Sequence, residues 1–264
     1  MSLDIGAYYF LLGAGAGLVA GLLGVGGGLI IVPALVLLLG LQGIEPVHIV
    51  HIAVGTSLAT IVVTSISSSW AHHRHGAVQW PVFARLSPGI VIGALIGAVI
   101  ADYMSATILR RVFGVFELLV ALQMITGARP AAHRAVPGTA GLFGAGGIIG
   151  SISSVVGIGG GTITVPFLVW CNVSMREAVA TSAACGLPIA IAGATGFVIT
   201  GWNETGLPDG ASGYIYWPAF IGIVFMSSLF APLGARLAHR LRVASLKKIF
   251  ALLLCVLGIR MLIV

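Results

Sequence analysis

The chain reads as an all-α integral membrane protein made of two homologous helical repeats, and three observations lead there. Of its 264 residues 58% are hydrophobic and only 8% charged, with a mean hydropathy of +1.11, which leaves too little polar surface to coat a water-soluble globule. Its apolar segments are long and nearly free of charge, whereas a membrane barrel would alternate polar and apolar residues over runs of about ten. The third observation is a duplication: Gly21-Leu-Leu-Gly-Val-Gly-Gly-Gly-Leu-Ile-Ile-Val-Pro33 returns in close copy as Ser154-Val-Val-Gly-Ile-Gly-Gly-Gly-Thr-Ile-Thr-Val-Pro166.

Taken in order, the apolar segments of the first half run over residues 5–23, 29–41, 48–70, 81–101 and 108–125. The second half repeats the series at 139–156, 162–171, 178–201, 214–235 and 246–264. Small loop changes bring the halves into register. Gly26-Gly27-Gly28 and Pro33 match Gly159-Gly160-Gly161 and Pro166 at an offset of 133, and Thr56-Ser57 matches Thr181-Ser182 at 125. Gly76, Trp80-Pro81, Gly97, Arg110-Arg111 with Phe113, and Met124 match Gly213, Trp217-Pro218, Gly234, Lys247-Lys248 with Phe250, and Met261, all at 137. Residues 1–130 and 131–264 are therefore read as two transmembrane repeats of one unit.

Segment length decides how each repeat begins. The opening run 5–41 holds 37 residues; as one helix it would measure roughly 55 Å against a hydrocarbon core of about 30 Å. It has to break and fold back near its glycines. Each repeat is then a glycine-rich broken or re-entrant helix pair plus three spanning helices, an odd number of crossings, and the two repeats insert with opposite orientation.

Charge supports the inverted arrangement. It puts Arg74, Arg85, Arg129, Arg134, Arg176, Arg236, Arg240, Arg242, Lys247 and Lys248 on one side and Arg110, Arg111 and Arg260 on the other. Parallel repeats of four spans would split the same thirteen charges eight against five, a weaker positive-inside bias. The larger set marks the cytoplasmic side, so both termini are expected outside, and Met1-Ser-Leu-Asp-Ile, without a basic n-region or cleavage site, is not expected to be a removable signal peptide. Trp70, Trp80, Trp170, Trp202 and Trp217 fall near segment ends, where interfacial aromatics belong. The net charge of +6 belongs to these loops and shows no basic stripe with interleaved aromatics, so no nucleic-acid partner is expected.

The glycine clusters are the first place to look for chemistry. Gly24, Gly26, Gly27 and Gly28 free the backbone for positive φ and a sharp turn, and a helix restarts at Leu29; Gly157, Gly159, Gly160 and Gly161 do the same in the second half. A helix start presents unpaired N–H groups and a partial positive charge, and two inverted copies bring two such starts together near the midplane, an arrangement suited to an anionic substrate. Thr56, Ser57, Thr181 and Ser182, a few residues into their helices, offer hydroxyl donors to the same anion. The competing reading for the glycines is close helix packing, and for the hydroxyls a bond to the carbonyl one turn back.

Glu117 and Gln123 are the polar residues deepest in the apolar segments of the first half. An intramembrane carboxylate is a candidate carrier of a coupling proton, with H+ and Na+ both open as coupling ions. Its repeat counterpart is Leu254, so that role would not be shared. His51 and Arg176 correspond between halves near helix starts, where a cation would attract substrate or serve the surface. His72-His73-Arg74-His75 reads as a basic loop, since consecutive positions cannot face one metal ion. Cys171, Cys185 and Cys255 lack metal or redox spacing and read as small core residues. No G-x-S-x-G, H-E-x-x-H or P-loop is present, so no enzyme, metal or cofactor is expected.

The duplicated G-x-x-G-x-G-G-G with its following proline, the stretches Ala53-Val-Gly-Thr-Ser57 and Ala178-Val-Ala-Thr-Ser182, and Gly76-x-x-x-Trp80 resemble the TauE/SafE sulfite exporter family, also called the toluene-sulfonate uptake permeases. The likeness spans nearly the whole chain, and the duplicated glycine module is its specific part. It implies secondary transport of sulfur-containing or small organic anions (sulfite, sulfonate, sulfoacetate) across the bacterial inner membrane by alternating access. The copies depart from each other where Gly21 becomes Ser154 and Thr60 becomes Cys185. The alternative from a different class is a membrane scaffold or assembly factor whose glycines serve packing alone.

Overall fold

The computed structural model describes residues 3–23, 27–127, 134–238 and 243–263. Gly24 and Gly26 of the expected site, and Arg129, Arg240 and Arg242 of the basic set, lie outside the described residues. The described residues are mainly helical: α1 (Leu3–Leu23), α2 (Gly28–Leu41), α3 (Pro46–Arg74), α4 (Trp80–Tyr103), α5 (Ala106–Thr126), α6 (Thr139–Val156), α7 (Gly161–Trp170), α8 (Met175–Thr200), α9 (Trp217–Ala238) and α10 (Val243–Ile263). Among the described residues five helices are long and apolar enough to cross a bilayer, within α3, α4, α6, α8 and α9. The chain is a multi-pass membrane protein.

One expected segment begins differently. Residues 214–216 are not helical: Ala211–Ser212 (β1) and Ile215–Tyr216 (β2) form a two-residue antiparallel ladder, and α9 starts only at Trp217. Gly213 turns this hairpin at φ +53°, as Gly76 turns the shorter connection before α4 at φ +62°. The Trp-Pro pairs that follow place proline in the first turn of α4 and of α9, where its missing N–H and fixed φ suit a helix start.

α3 and α8 form the centre and run antiparallel. Leu58 packs against Gly193, Ser65 against Gly186, and the Ser69 hydroxyl donates to the Ala183 carbonyl at 3.1 Å. Both helices are buried over most of their length. α5 and α10 also cross antiparallel, at Gly114 and Gly258. The other two contacts exchange partners between the halves: α4 lies parallel to α6, and α1 parallel to α9.

Those parallel contacts depend on glycine. A Cβ on Gly89, Gly93 or Gly97 of α4, or on Gly146 or Gly150 of α6, would press into a backbone carbonyl of the facing helix. Gly13 and Gly17 of α1 and Gly234 of α9 are placed in the same way. In lipid there is no hydrophobic drive between helices, so close backbone approach and dispersion contact supply the association.

The breaks in the long runs fall as length requires. α1 ends at Leu23 and α2 begins at Gly28, and the Gln42 amide beyond α2 donates to the Tyr9 hydroxyl near the start of α1. The two legs thus return toward one face. α2 and α7 end alike: Gly43 (φ +73°) and Asn172 (φ +63°) are left-handed, and the N–H of Ile44 and Val173 reaches back to Leu39 and Leu168.

Gly93→Ala should lower the melting temperature of the detergent-purified protein, since overpacking a tight crossing costs about 2 kcal/mol. Gly144→Ala, where the added methyl meets nothing within 4 Å, should leave it unchanged or raise it.

Candidate functional site

The two glycine junctions meet at the middle of α3 and α8. A Cβ on Gly28 would lie 2.6 Å from the Gly157 carbonyl oxygen and 3.2 Å from the Ile158 Cα. Ile61 of α3 packs against both Gly28 and Gly159, and a Cβ on Gly186 of α8 would lie 3.0 Å from the Gly159 carbonyl oxygen.

The junctions are built differently. α6 ends on Gly157 at φ +74°, with Ile158 N–H donating to the Ser153 carbonyl at 2.9 Å, and α7 starts from Gly160 at φ +75°. Positive φ at these positions is why glycine is needed there. Gly27, which starts α2, is right-handed at φ −75° and carries no such requirement. The Gly27 carbonyl accepts from Ile30 and Ile31, and the Gly160 carbonyl from Ile163 and Thr164, leaving the earlier N–H groups of each helix pointing into the junction.

Of the four hydroxyls expected at the site, three have defined partners. Ser57 donates to the Gly157 carbonyl at 2.9 Å and ties α3 to the second junction. Thr56 accepts from Tyr216 N–H at 3.0 Å, and Thr181 accepts from Gln79 N–H at 2.9 Å. Neither threonine bonds the carbonyl one turn back. Instead each caps the backbone just before a Trp-Pro helix start, Thr56 at α9 and Thr181 at α4, so each holds a helix of the opposite half. Ser182 is buried, without a hydrogen-bond partner among the described residues.

Other orphaned hydroxyls surround the second junction. Ser153, Ser154, Thr162 and Thr164 carry buried oxygens without partners among the described residues. Thr164 Oγ1 and Ser153 Oγ lie 3.2 and 3.7 Å from the position a Gly160 Cβ would take. Their first-half counterparts are Ala20, Gly21, Leu29 and Ile31, so the polar set belongs to one copy only. That difference between otherwise matching stretches was the available sequence signal. Buried polar atoms are rarely left unpaired, so such a cluster points to a ligand or water.

Glu117 is fully buried on α5, and neither carboxylate oxygen has a partner among the described residues. His51 is enclosed rather than at the surface. Its Nε2 lies 3.0 Å from the Ala101 carbonyl oxygen and 3.2 Å from that of Met104, its Nδ1 lies 3.3 Å from that of Val47, and the ring stacks on Tyr214. Tyr214 donates to Asp102 at 3.1 Å; burial first, and then the Asp102 charge, push its phenol well above the ordinary value, so it stays a neutral donor. Arg176 at the opposite end of α8 donates to the His75 carbonyl at 3.3 Å. His73 packs edge-on to Trp80, and no group of three metal-ligating side chains occurs among the described residues.

An apolar groove of about 570 Å³ opens between α4, α5 and α6 and ends at Val155 and Val156, directly before Gly157. Arg111 is its one charged lining residue.

Thr56→Val and Thr181→Val should each destabilise the protein, because each leaves a backbone N–H without its acceptor, at about 1–3 kcal/mol. Thr→Ser at either position should retain most of the stability in a thermal-unfolding comparison.

Comparison with known proteins agrees with the architecture. The family model described as sulfite exporter TauE/SafE matches residues 9–261. A probable membrane transporter protein of Haemophilus influenzae is 37% identical over 95% of this chain and 96% of its own length. Probable membrane transporter proteins of Bacillus subtilis and Methanocaldococcus jannaschii are 27% and 26% identical over 94% and 93% of this chain, and 94% and 91% of theirs. No solved structure gives a significant match. With the family model covering almost every residue, the chain belongs to the TauE/SafE sulfite exporter family of membrane transporters.

Proposed function

We propose that this protein is a secondary transporter of small oxyanions of the sulfite, sulfonate or sulfoacetate type, and that the substrate binds where the two glycine junctions meet. The observation that carries the reading is the set of buried, unpartnered hydroxyls gathered at the second junction, at the end of α6 and the start of α7, halfway along α3 and α8. Hydroxyls, free N–H groups and helix dipoles neutralise an anion without a fixed full charge, so the anion is held but not trapped. The Ser57 bond to Gly157 keeps the second junction in register, and the remaining glycines let the anion approach backbone.

The reading includes inverted repeats in one transport unit. Its support is that the close contacts recur under exchange of halves. Gly146 faces Leu86 and Gly150 faces Ile90, while Gly13 faces Ile223 and Gly17 faces Ser227, the partners that the offsets of 133 and 137 require. The antiparallel crossing of the equivalent helices α3 and α8 fits the same symmetry. Because α1 packs on α9 and α4 on α6, alternating access would rock these mixed pairs about the α3–α8 centre rather than move one sequence half against the other. With Arg74, Arg85 and Arg176 in the cytoplasm, both termini face outside the inner membrane.

Ser153→Ala combined with Thr164→Val should weaken the sulfite- or sulfonate-induced rise in melting temperature at least tenfold in concentration, while leaving the ligand-free melting temperature unchanged or higher. Wild-type affinity in the double variant would overturn the site, and absence of any anion-dependent flux in proteoliposomes would favour the scaffold reading.

Glu117→Gln should abolish the dependence of flux on a pH gradient without loss of substrate-induced stabilisation. An unchanged gradient dependence would remove Glu117 from the coupling step.

A further inference from the structure

Away from the glycine junctions, two arginines line one small recess. α5 and α10 cross antiparallel at Gly114 and Gly258, which brings Arg110, one turn before the first, and Arg260, just after the second, to the same face of the molecule. Both line a recess of about 30 Å³ whose other walls are Pro33, Val36 and Leu37 of α2 and Leu257 and Met261 of α10. Arg110 Nε is buried and without a hydrogen-bond partner among the described residues.

No acid answers these cations. The recess lining contains no acidic residue, and the one ion pair among the described residues joins His48 to Glu45 elsewhere. Glu117, two turns further along α5, is enclosed with both oxygens unpartnered and is not a counter-ion for Arg110. Arg110 is half-buried and Arg260 exposed, so the recess carries two cations on its apolar walls, and a buried Nε–H without an acceptor is costly. A planar fork of N–H donors matches the oxygens of a tetrahedral oxyanion, and a bound anion supplies the missing acceptor and balances the two charges.

We propose that Arg110 and Arg260 form a second anion site, separate from the glycine junctions, that holds a phosphate-type oxyanion against α2, α5 and α10. The same chemistry is offered by the headgroup of an anionic phospholipid and by free inorganic phosphate. Since α2 is the second leg of the first junction, an anion clamped here pins that leg to the α5–α10 pair.

The test measures melting temperature in detergent while titrating inorganic phosphate in one arm and short-chain phosphatidylglycerol, against phosphatidylcholine, in the other. A rise of about 3 °C in either arm is expected, reduced by more than half in Arg110→Gln and in Arg260→Gln and retained in Arg85→Gln, an exposed arginine on α4. Response to phosphatidylglycerol alone assigns a lipid headgroup, and response to both assigns an oxyanion in general. Arg110→Lys and Arg260→Lys, which keep the charge and lose the fork, should fold and show an intermediate shift. The Ser153→Ala/Thr164→Val protein should retain the full response, which separates this site from the transport site. Absence of a shift in both arms, or a shift unchanged in both Gln variants, would overturn the proposal.

Discussion

A helix that breaks inside a membrane protein leaves backbone N–H and C=O groups that no water satisfies, and this chain breaks two apolar runs beside the middle of α3 and α8. Most of its architecture answers that constraint. The Ser57 hydroxyl donates to the Gly157 carbonyl, Ile158 N–H returns to Ser153, and Gly28 of the first junction packs against Gly157 and Ile158 of the second. α3 and α8, the most enclosed of the helices, form the walls that make this possible. Groups still unpaired after these bonds are the ones with capacity to bind something else.

Much of the fold was legible in the sequence because it follows from one length scale. A run of 37 apolar residues cannot be one span, so the break near Gly24 to Gly28 and its copy near Gly157 to Gly161 were forced. The segment limits agree with the helices to within a few residues, except at Tyr214, where an apolar, aromatic stretch looked helical. There Gly213 turns the chain into a short ladder, and the hydrogen bond of Tyr214 to Asp102 holds it down. The partners of Thr56 and Thr181 were out of reach, because each lies more than a hundred residues away and is a backbone N–H, which leaves no trace in residue type.

The internal duplication hid part of the candidate site as well as revealing it. Reading the copies for agreement drew attention to the shared glycines and Thr-Ser pairs, and three of those four hydroxyls turn out to have partners within the protein. The unpaired set lies mostly where the copies disagree, at Ser153, Ser154, Thr162 and Thr164. Three shared hydroxyls brace the scaffold, whereas the unpaired ones fall mostly where the likeness between the copies breaks.

The exchange of partners between the halves has a consequence for how the protein is made. Gly13 and Gly17 of α1 find their complement at Ile223 and Ser227 of α9, near the other end of the chain. At synthesis rates of about 5–20 residues per second, α1 waits roughly 10–40 s in the bilayer before α9 emerges. During that interval its glycine face meets only lipid, and α4 waits more briefly for α6. Assembly is therefore post-insertional for the outer pairs, and a chain released before α9 would leave a sticky, small-residue face open to the corresponding face of a second copy.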